Sequence, residues 1–224
     1  MQDSTDWAAD AESRLLEAAL PLVPELGWNW RLVRRAAQVV GLSPPEAELL
    51  LPRGARDLAA LFSYRHDETA LTTLASMDAA GLKIRERIAR GVEARVEAAA
   101  SDEKASRAWL GYLALPQNVA LGGRLFWASA DVIWRWAGDT STDASHYSKR
   151  VILATLLSST LAVRMSNTPA AARTHLERGI AAVMGFEKMK AKLAPRPFAA
   201  AAAEALGRFR YGRREAAPED TTRA

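Results

Sequence analysis

Residues 15–62 read LLEAALPLVPELGWNWRLVRRAAQVVGLSPPEAELLLPRGARDLAALF. Their apolar positions recur at spacings of three and four, the period of helices that turn one face to a core. Leu15, Leu16, Ala19 and Leu20 share one face of a first helix, Glu12 to about Val23, which Gly27 closes. A second runs from Trp30 to about Val40 and stops at Gly41. Ser43 caps a short third, with Pro44 and Pro45 in its first turn and Leu49 to Leu51 at its end before Pro52. Three short helices divided in this way have the layout of a helix-turn-helix unit.

The same periodicity continues outward. Longer helices are predicted over about Arg56–Met77, Leu82–Ala99, Ser101–Leu115, Gln117–Ala137, Asp143–Met165 and Pro169–Phe186, punctuated by Pro116, Gly138 and Ser166–Pro169. No alternating run bounded by turn residues interrupts them, so the predicted class is all-α. The expected organisation is a polar tail at 1–10, a three-helix unit at 11–53, a larger helical domain at 54–190, an amphipathic helix at 195–214 and a disordered tail at 215–224.

Composition narrows the chemistry. The 224 residues are 49% hydrophobic and 25% charged, enough for a sizeable core. With no cysteine, the chain has no disulfide, zinc–thiolate site or cysteine nucleophile. His66, His146 and His175 are too far apart in sequence to build a metal centre within one segment, and no metal or cofactor is expected. The opening MQDSTDWAAD holds Asp3, Asp6 and Asp10 without Lys or Arg, which reads as neither a secretory signal nor an Arg-rich presequence. The expected location is the bacterial cytoplasm, peripheral to the inner membrane. The longest apolar run, Val151 to Val163, falls short of the ~20 residues a spanning helix needs.

Charge is unevenly placed. Lys188 to Arg214 holds eight basic residues against Glu204, a local +7 that leaves −3 for the rest of a chain whose total is +4. Within it, Phe198, Leu206 and Phe209 fall on one stripe of a helix that also carries Arg208 and Arg210. Such a basic amphipathic helix is expected to bind an anionic membrane surface.

A DNA-reading role requires hydrogen-bond donors on the third helix. SPPEAELLL (43–51) instead offers Glu46 and Glu48 and no Lys, Arg, Asn or Gln, so specific DNA binding is not expected. Arg31, Arg34 and Arg35 on the second helix read as a solvated basic face. GxSxG, GxxxxGK[ST], HExxH and a repeated ExxH are all absent, and no catalytic residue is assigned.

The densest signal is WRWAGDTSTDASHYSKR, residues 134–150. Gly138 ends one long helix, and the polar residues after it suit the start of the next. Asp143, His146, Tyr147 and Arg150 then follow at i, i+3, i+4 and i+7, one face of that helix. The residues alone leave a partner surface and a solvated face with an Asp–Arg pair equally open.

Asp131, Trp134, Ala137, Gly138, Asp139, Ser141, Thr142, Asp143, Tyr147, Lys149 and Arg150 match, as they stand, the pattern D-x-x-W-x-x-A-G-D-x-S-T-D-x-x-x-Y-[ST]-[KR]-R. That pattern resembles the signature of the Coq nine family of ubiquinone-biosynthesis accessory proteins, and the likeness covers about Leu15 to Lys190. The N-terminal helices also resemble the first domain of TetR-type regulators. The resemblance implies a TetR-like all-helical homodimer that does not bind DNA and holds an isoprenoid quinone or precursor in an apolar cavity. It implies delivery of that lipid to the di-iron demethoxyubiquinone hydroxylase of the Coq seven family, docked on a face carried here by Ile133, Asp143, His146, Tyr147 and Arg150. His146 stands where family examples carry Trp.

Leu121, Leu125, Phe126, Leu153, Leu156, Leu157 and Leu161 lie on two helices that are apolar around much of their circumference. They are the candidate lipid contacts; ordinary buried core is the competing reading. A transcription regulator sensing an apolar ligand is the rival function, and a ligand-free interaction domain the blander one.

Overall fold

The computed structural model describes the backbone of residues 2–140 and 144–193 and the side chains of residues 7–140 and 146–184. Within these residues every regular element is helical, and the architecture is consistent with the TetR-like class. The helices are α1 (Gln2–Ala19), α2 (Val23–Leu26), α3 (Trp30–Val39), α4 (Pro44–Leu50), α5 (Ala55–Ala75), α6 (Ile84–Ala100), α7 (Glu103–Ala114), α8 (Val119–Trp136), α9 (Ala144–Ser166) and α10 (Pro169–Leu193).

The N-terminal boundaries differ from the expected ones. α1 starts at Gln2, so residues 2–10 are helix rather than a tail. Within this helix Ala11 is already fully buried. The helix also ends early. Pro21 and Pro24 lack the N–H an α-helix needs, and the chain passes through a 3-10 turn, Leu20–Leu22, into the short α2. Gly27, at φ +67°, closes that turn with its N–H on the Val23 carbonyl at 2.8 Å.

Caps start the next two helices. The Asn29 side chain accepts from the N–H of Arg31 at 2.8 Å. Ser43 and Glu46 form a reciprocal capping box, the Ser43 N–H donating to Glu46 Oε2 at 2.8 Å. These hydrogen bonds from Ser43 hold the Glu46 carboxyl below its ordinary range. Glu46 thus has a local structural role, while remaining an exposed acid on α4.

The chain divides into two units, Met1–Ile180 and Ala181–Ala224. In the first, a single core runs from the three-helix layer into the larger helices. Aromatic rings mark its course: Trp28 to Phe62 at 5.1 Å, Phe62 to Trp109 at 5.9 Å and Trp109 to Phe126 at 5.7 Å between centroids. Both indoles find acceptors, Trp28 Nε1 on the Ala105 carbonyl and Trp109 Nε1 on that of Ala59. Residues 11–53 and 54–180 therefore share one interior. In the second unit the described residues continue α10 to Leu193.

This interior holds charge as well as apolar bulk. Arg95 of α6, 1% exposed, donates from Nε to Asp67 Oδ1 at 2.5 Å, and Nη2 donates to Ser63 Oγ at 3.1 Å. Ser129 of α8 donates to the same Asp67 oxygen at 2.6 Å. Immediately before Asp67 in the chain, His66 Nε2 lies 3.1 Å from Asp102 Oδ2, and Arg65 bridges Asp102 and Glu17.

Burial, reinforced by the Arg95 cation, pushes the His66 imidazole down to about 4 from 6.5, against the opposing pull of Asp102. A histidine whose folded pKa is depressed favours folding while it stays neutral. That contribution is complete above about pH 6.5 and is lost as pH falls toward 4. Acid titration of unfolding should show stability falling across this window by up to about 3 kcal/mol, and His66→Gln should flatten the slope. An unchanged slope in that variant would assign the acid sensitivity to other groups.

Candidate functional site: the α8–α9 hairpin

The end of α8 is built to stop and turn. Gly138, at φ +91°, donates to the Arg135 carbonyl at 3.0 Å, and the Asp139 N–H donates to that of Trp134 at 3.0 Å. This is a Schellman closure, whose left-handed position glycine occupies without a Cβ penalty. Arg87 of α6 adds a donor to the Ala137 carbonyl at 3.1 Å.

The closure places Asp139 against α9. Arg150 reaches it from Nη1 at 3.2 Å and reaches Asp131 of α8 from Nε at 2.5 Å, and Nη1 also donates to the His146 carbonyl at 3.2 Å. Lys149 donates to the other Asp139 oxygen at 2.7 Å and lies 5.5 Å from the Trp134 ring centre. The Trp134 indole closes the circuit on the Lys149 carbonyl at 3.1 Å. Arg135 holds the second Asp131 oxygen at 2.7 Å. Most of the dense sequence signal is thus a charged clamp that welds α8 to α9.

Two of the expected partner-face residues, Arg150 and Ile133, are buried in this arrangement rather than exposed. Arg150 is 2% exposed, its guanidinium held between two carboxylates of its own hairpin. Ile133 is also 2% exposed, packed where a Cβ on Gly91 of α6 would overlap its Cγ2. Tyr147 is 64% exposed and His146 half-buried, with ring centroids 5.2 Å apart. Trp127 of α8 lies 6.1 Å from Tyr147. Asp143 lies outside the described residues.

The exposed strip continues past the signature. Val151 and Ile152 present their side chains to solvent, one turn beyond Tyr147. Val151 reads in sequence as one of many apolar residues on a helix of core type. A strand or helix pattern marks which residues are apolar, and here only the packed neighbour decides which of them are covered.

The candidate lipid residues come together. Leu121, Leu125 and Phe126 of α8 and Leu153, Leu157 and Leu161 of α9 are all buried in the shared core. Leu156 is half-buried beneath Gly179 of α10, where an added Cβ would collide with its Cδ1. Nearby, a cleft of about 50 Å³ opens between α6, α9 and α10, lined by Val96, Thr160, Ala172 and Leu176 with Glu93, Glu97 and Arg173 at its polar side. None of the seven candidate residues lines it. Over residues 169–180, α10 rests on the body through Ala172, Leu176 and Ile180 and a contact of 2.9 Å between His175 Nε2 and Ser159 Oγ.

Phe198, Leu206, Arg208, Phe209 and Arg210 lie outside the described residues. Among the described residues, no group of three His, Cys, Asp or Glu side chains could hold a metal ion. None of the described helices is long and apolar enough to cross a membrane.

Residues 119–187, from the start of α8 into α10, match the family model described as COQ9. Ubiquinone biosynthesis protein COQ9, mitochondrial, of Rattus norvegicus is 30% identical over 177 residues, 75% of this chain and 56% of that protein. The Homo sapiens protein of the same name is 28% identical over 177 residues, 75% of this chain and 55% of its own. That of Xenopus tropicalis is 28% identical over 165 residues, 70% and 51%. The chain spans about half the length of the curated relatives it matches. Their names place these relatives in mitochondria of animals, which overturns the expectation of a bacterial cytoplasmic protein.

Proposed function

We propose that this chain, whose residues 119–187 match the COQ9 family model, serves ubiquinone biosynthesis as a non-catalytic accessory protein. In this reading it binds an isoprenoid quinone intermediate and presents it, as a homodimer, to the di-iron hydroxylase that acts on that lipid. The observation that carries the reading is the division of labour within the matched segment. Asp131, Asp139, Lys149 and Arg150 fix the hairpin from inside, and Tyr147, Val151 and Ile152 stand outside it as a rigid, solvent-facing apolar strip. Pre-organised aromatic and aliphatic anchors of this kind carry most of the energy of a protein interface.

Lipid entry has a natural route beside that strip. α10 is held over Leu156 by few side chains, so its displacement uncovers apolar surface without breaking the α8–α9 clamp. The rival reading, a DNA-binding regulator, is disfavoured by the exposed Glu46 and Glu48 on α4.

Two measurements on the full chain test the proposal. Organic extracts of the purified protein should contain a prenylated quinone or phenol by mass spectrometry. Tyr147→Ala with Val151→Ser should weaken capture of the hydroxylase by roughly a hundredfold, about 2–3 kcal/mol, with an unchanged melting temperature. A lipid-free extract rejects the carrier role, and equal capture by the variant rejects the docking face.

A further inference from the structure

α3 carries a surface that the α8–α9 site does not use. At ~100° per residue its exposed side chains follow in angular order Trp30, Arg34, Gln38, Arg31, Arg35 and Val39, about half the circumference. Leu32, Val33, Ala36 and Ala37 fill the buried half. Trp30 is 58% exposed and Val39 61%, large apolar groups at the two edges of a field of three guanidinium groups.

The cations are bound to the aromatic rather than neutralised. Arg34 lies 4.5 Å and Arg31 5.7 Å from the Trp30 ring centre. Among the described residues none of the three arginines has a carboxylate within ion-pair distance, and Arg35 meets only the Gln38 side-chain oxygen at 3.3 Å. No Asp or Glu occurs between Glu25 and Glu46. The sequence reading of a merely solvated basic face accounts for the charge but leaves an indole and a valine in water.

We infer that the Trp30–Arg31–Arg34–Arg35 face of α3 docks on an anionic lipid surface, the guanidinium groups on headgroup phosphates and the indole at the boundary with the acyl chains. Charge complementarity and amphipathic composition select this occupant. Indoles favour the membrane–water interface, and basic side chains near an anionic surface add attraction that salt screens. A duplex fits less well, since phosphate contacts give the exposed apolar edges no role and α4 beside this face offers carboxylates. The inference stands apart from the proposed function, because it requires neither a bound quinone nor the hydroxylase.

The test uses the full chain with phosphatidylcholine vesicles, with and without phosphatidylglycerol. Replacing Arg31, Arg34 and Arg35 together by Gln should lower partitioning onto the anionic vesicles by roughly a hundredfold, with an unchanged circular dichroism spectrum and melting temperature. Brominated lipid should quench part of the tryptophan emission of the wild type, and Trp30→Phe should lose that quenched component. Equal partitioning by the triple variant, or quenching unchanged in Trp30→Phe, overturns the inference. So does duplex DNA retention that the triple variant loses while its vesicle binding equals the wild type. Neither outcome bears on extracted lipid or hydroxylase capture, so failure here is distinguishable from failure of the carrier role.

Discussion

Arg150→Ala is expected to destabilise the fold by about 3–5 kcal/mol, the cost of removing the buried cation that lies between two largely buried carboxylates. Asp131 and Asp139 would both face the vacated volume, and Asp139, whose side chain is 7% exposed, would lose the Arg150 guanidinium that pairs with it. For a chain of this length the melting temperature should fall by roughly 6–20 °C. Tyr147→Ala, one turn earlier, should change it by no more than about 0.5 kcal/mol, as surface substitutions do. The contrast would separate a buried residue from an exposed one that share a helix face in the sequence. A melt of Arg150→Ala indistinguishable from that of Tyr147→Ala would mean that the clamp contributes nothing to folding. Binding assays on Arg150 variants accordingly report stability first, and the docking test is confined to Tyr147 and Val151.

The second large effect belongs to the charged centre. Asp67→Ala should cost about 3–5 kcal/mol, because Arg95 would lose its carboxylate in a site where its Nη1 already lacks a partner among the described residues. Ser129 would lose its acceptor as well. Pairing Asp67→Ala with Arg95→Met removes the stranded cation and should recover a good part of the loss, since apolar replacements of buried ion pairs are often neutral or better. Chemical denaturation of the two singles and the double gives the cycle. Strict additivity would show that the two side chains do not act as a pair, and the double would then be the least stable of the three.

Much of the fold was legible because helices write their limits locally. Asn29, Ser43 and Gly138 act within a few residues of themselves, and each occupies the capping position its chemistry suits. The start of α1 was less legible. MQDSTDWAAD looks like a polar tail by composition, yet it is continuous with a helix whose register brings Ala11 and Leu15 into the core. The twin prolines at 21 and 24 signalled an interruption whose form, a 3-10 turn followed by one turn of α-helix, depended on how the chain must approach α3.

By itself the sequence determined the helical class, the hairpin at Gly138, the family of residues 119–187 and the absence of groove-reading donors on α4, all properties of local pattern or residue identity. Tertiary structure alone decided which charges are structural. Arg95 and Arg150 look like Arg31 and Arg34 in a sequence, since each is a cation on an amphipathic helix. The first two are buried because Asp67, 28 residues away, and Asp131, 19 residues away, are carried to them by the packing of other helices, while among the described residues no carboxylate is carried to the second two. Burial is a property of the neighbour brought across the core, and a one-dimensional pattern records only the residue that waits for it.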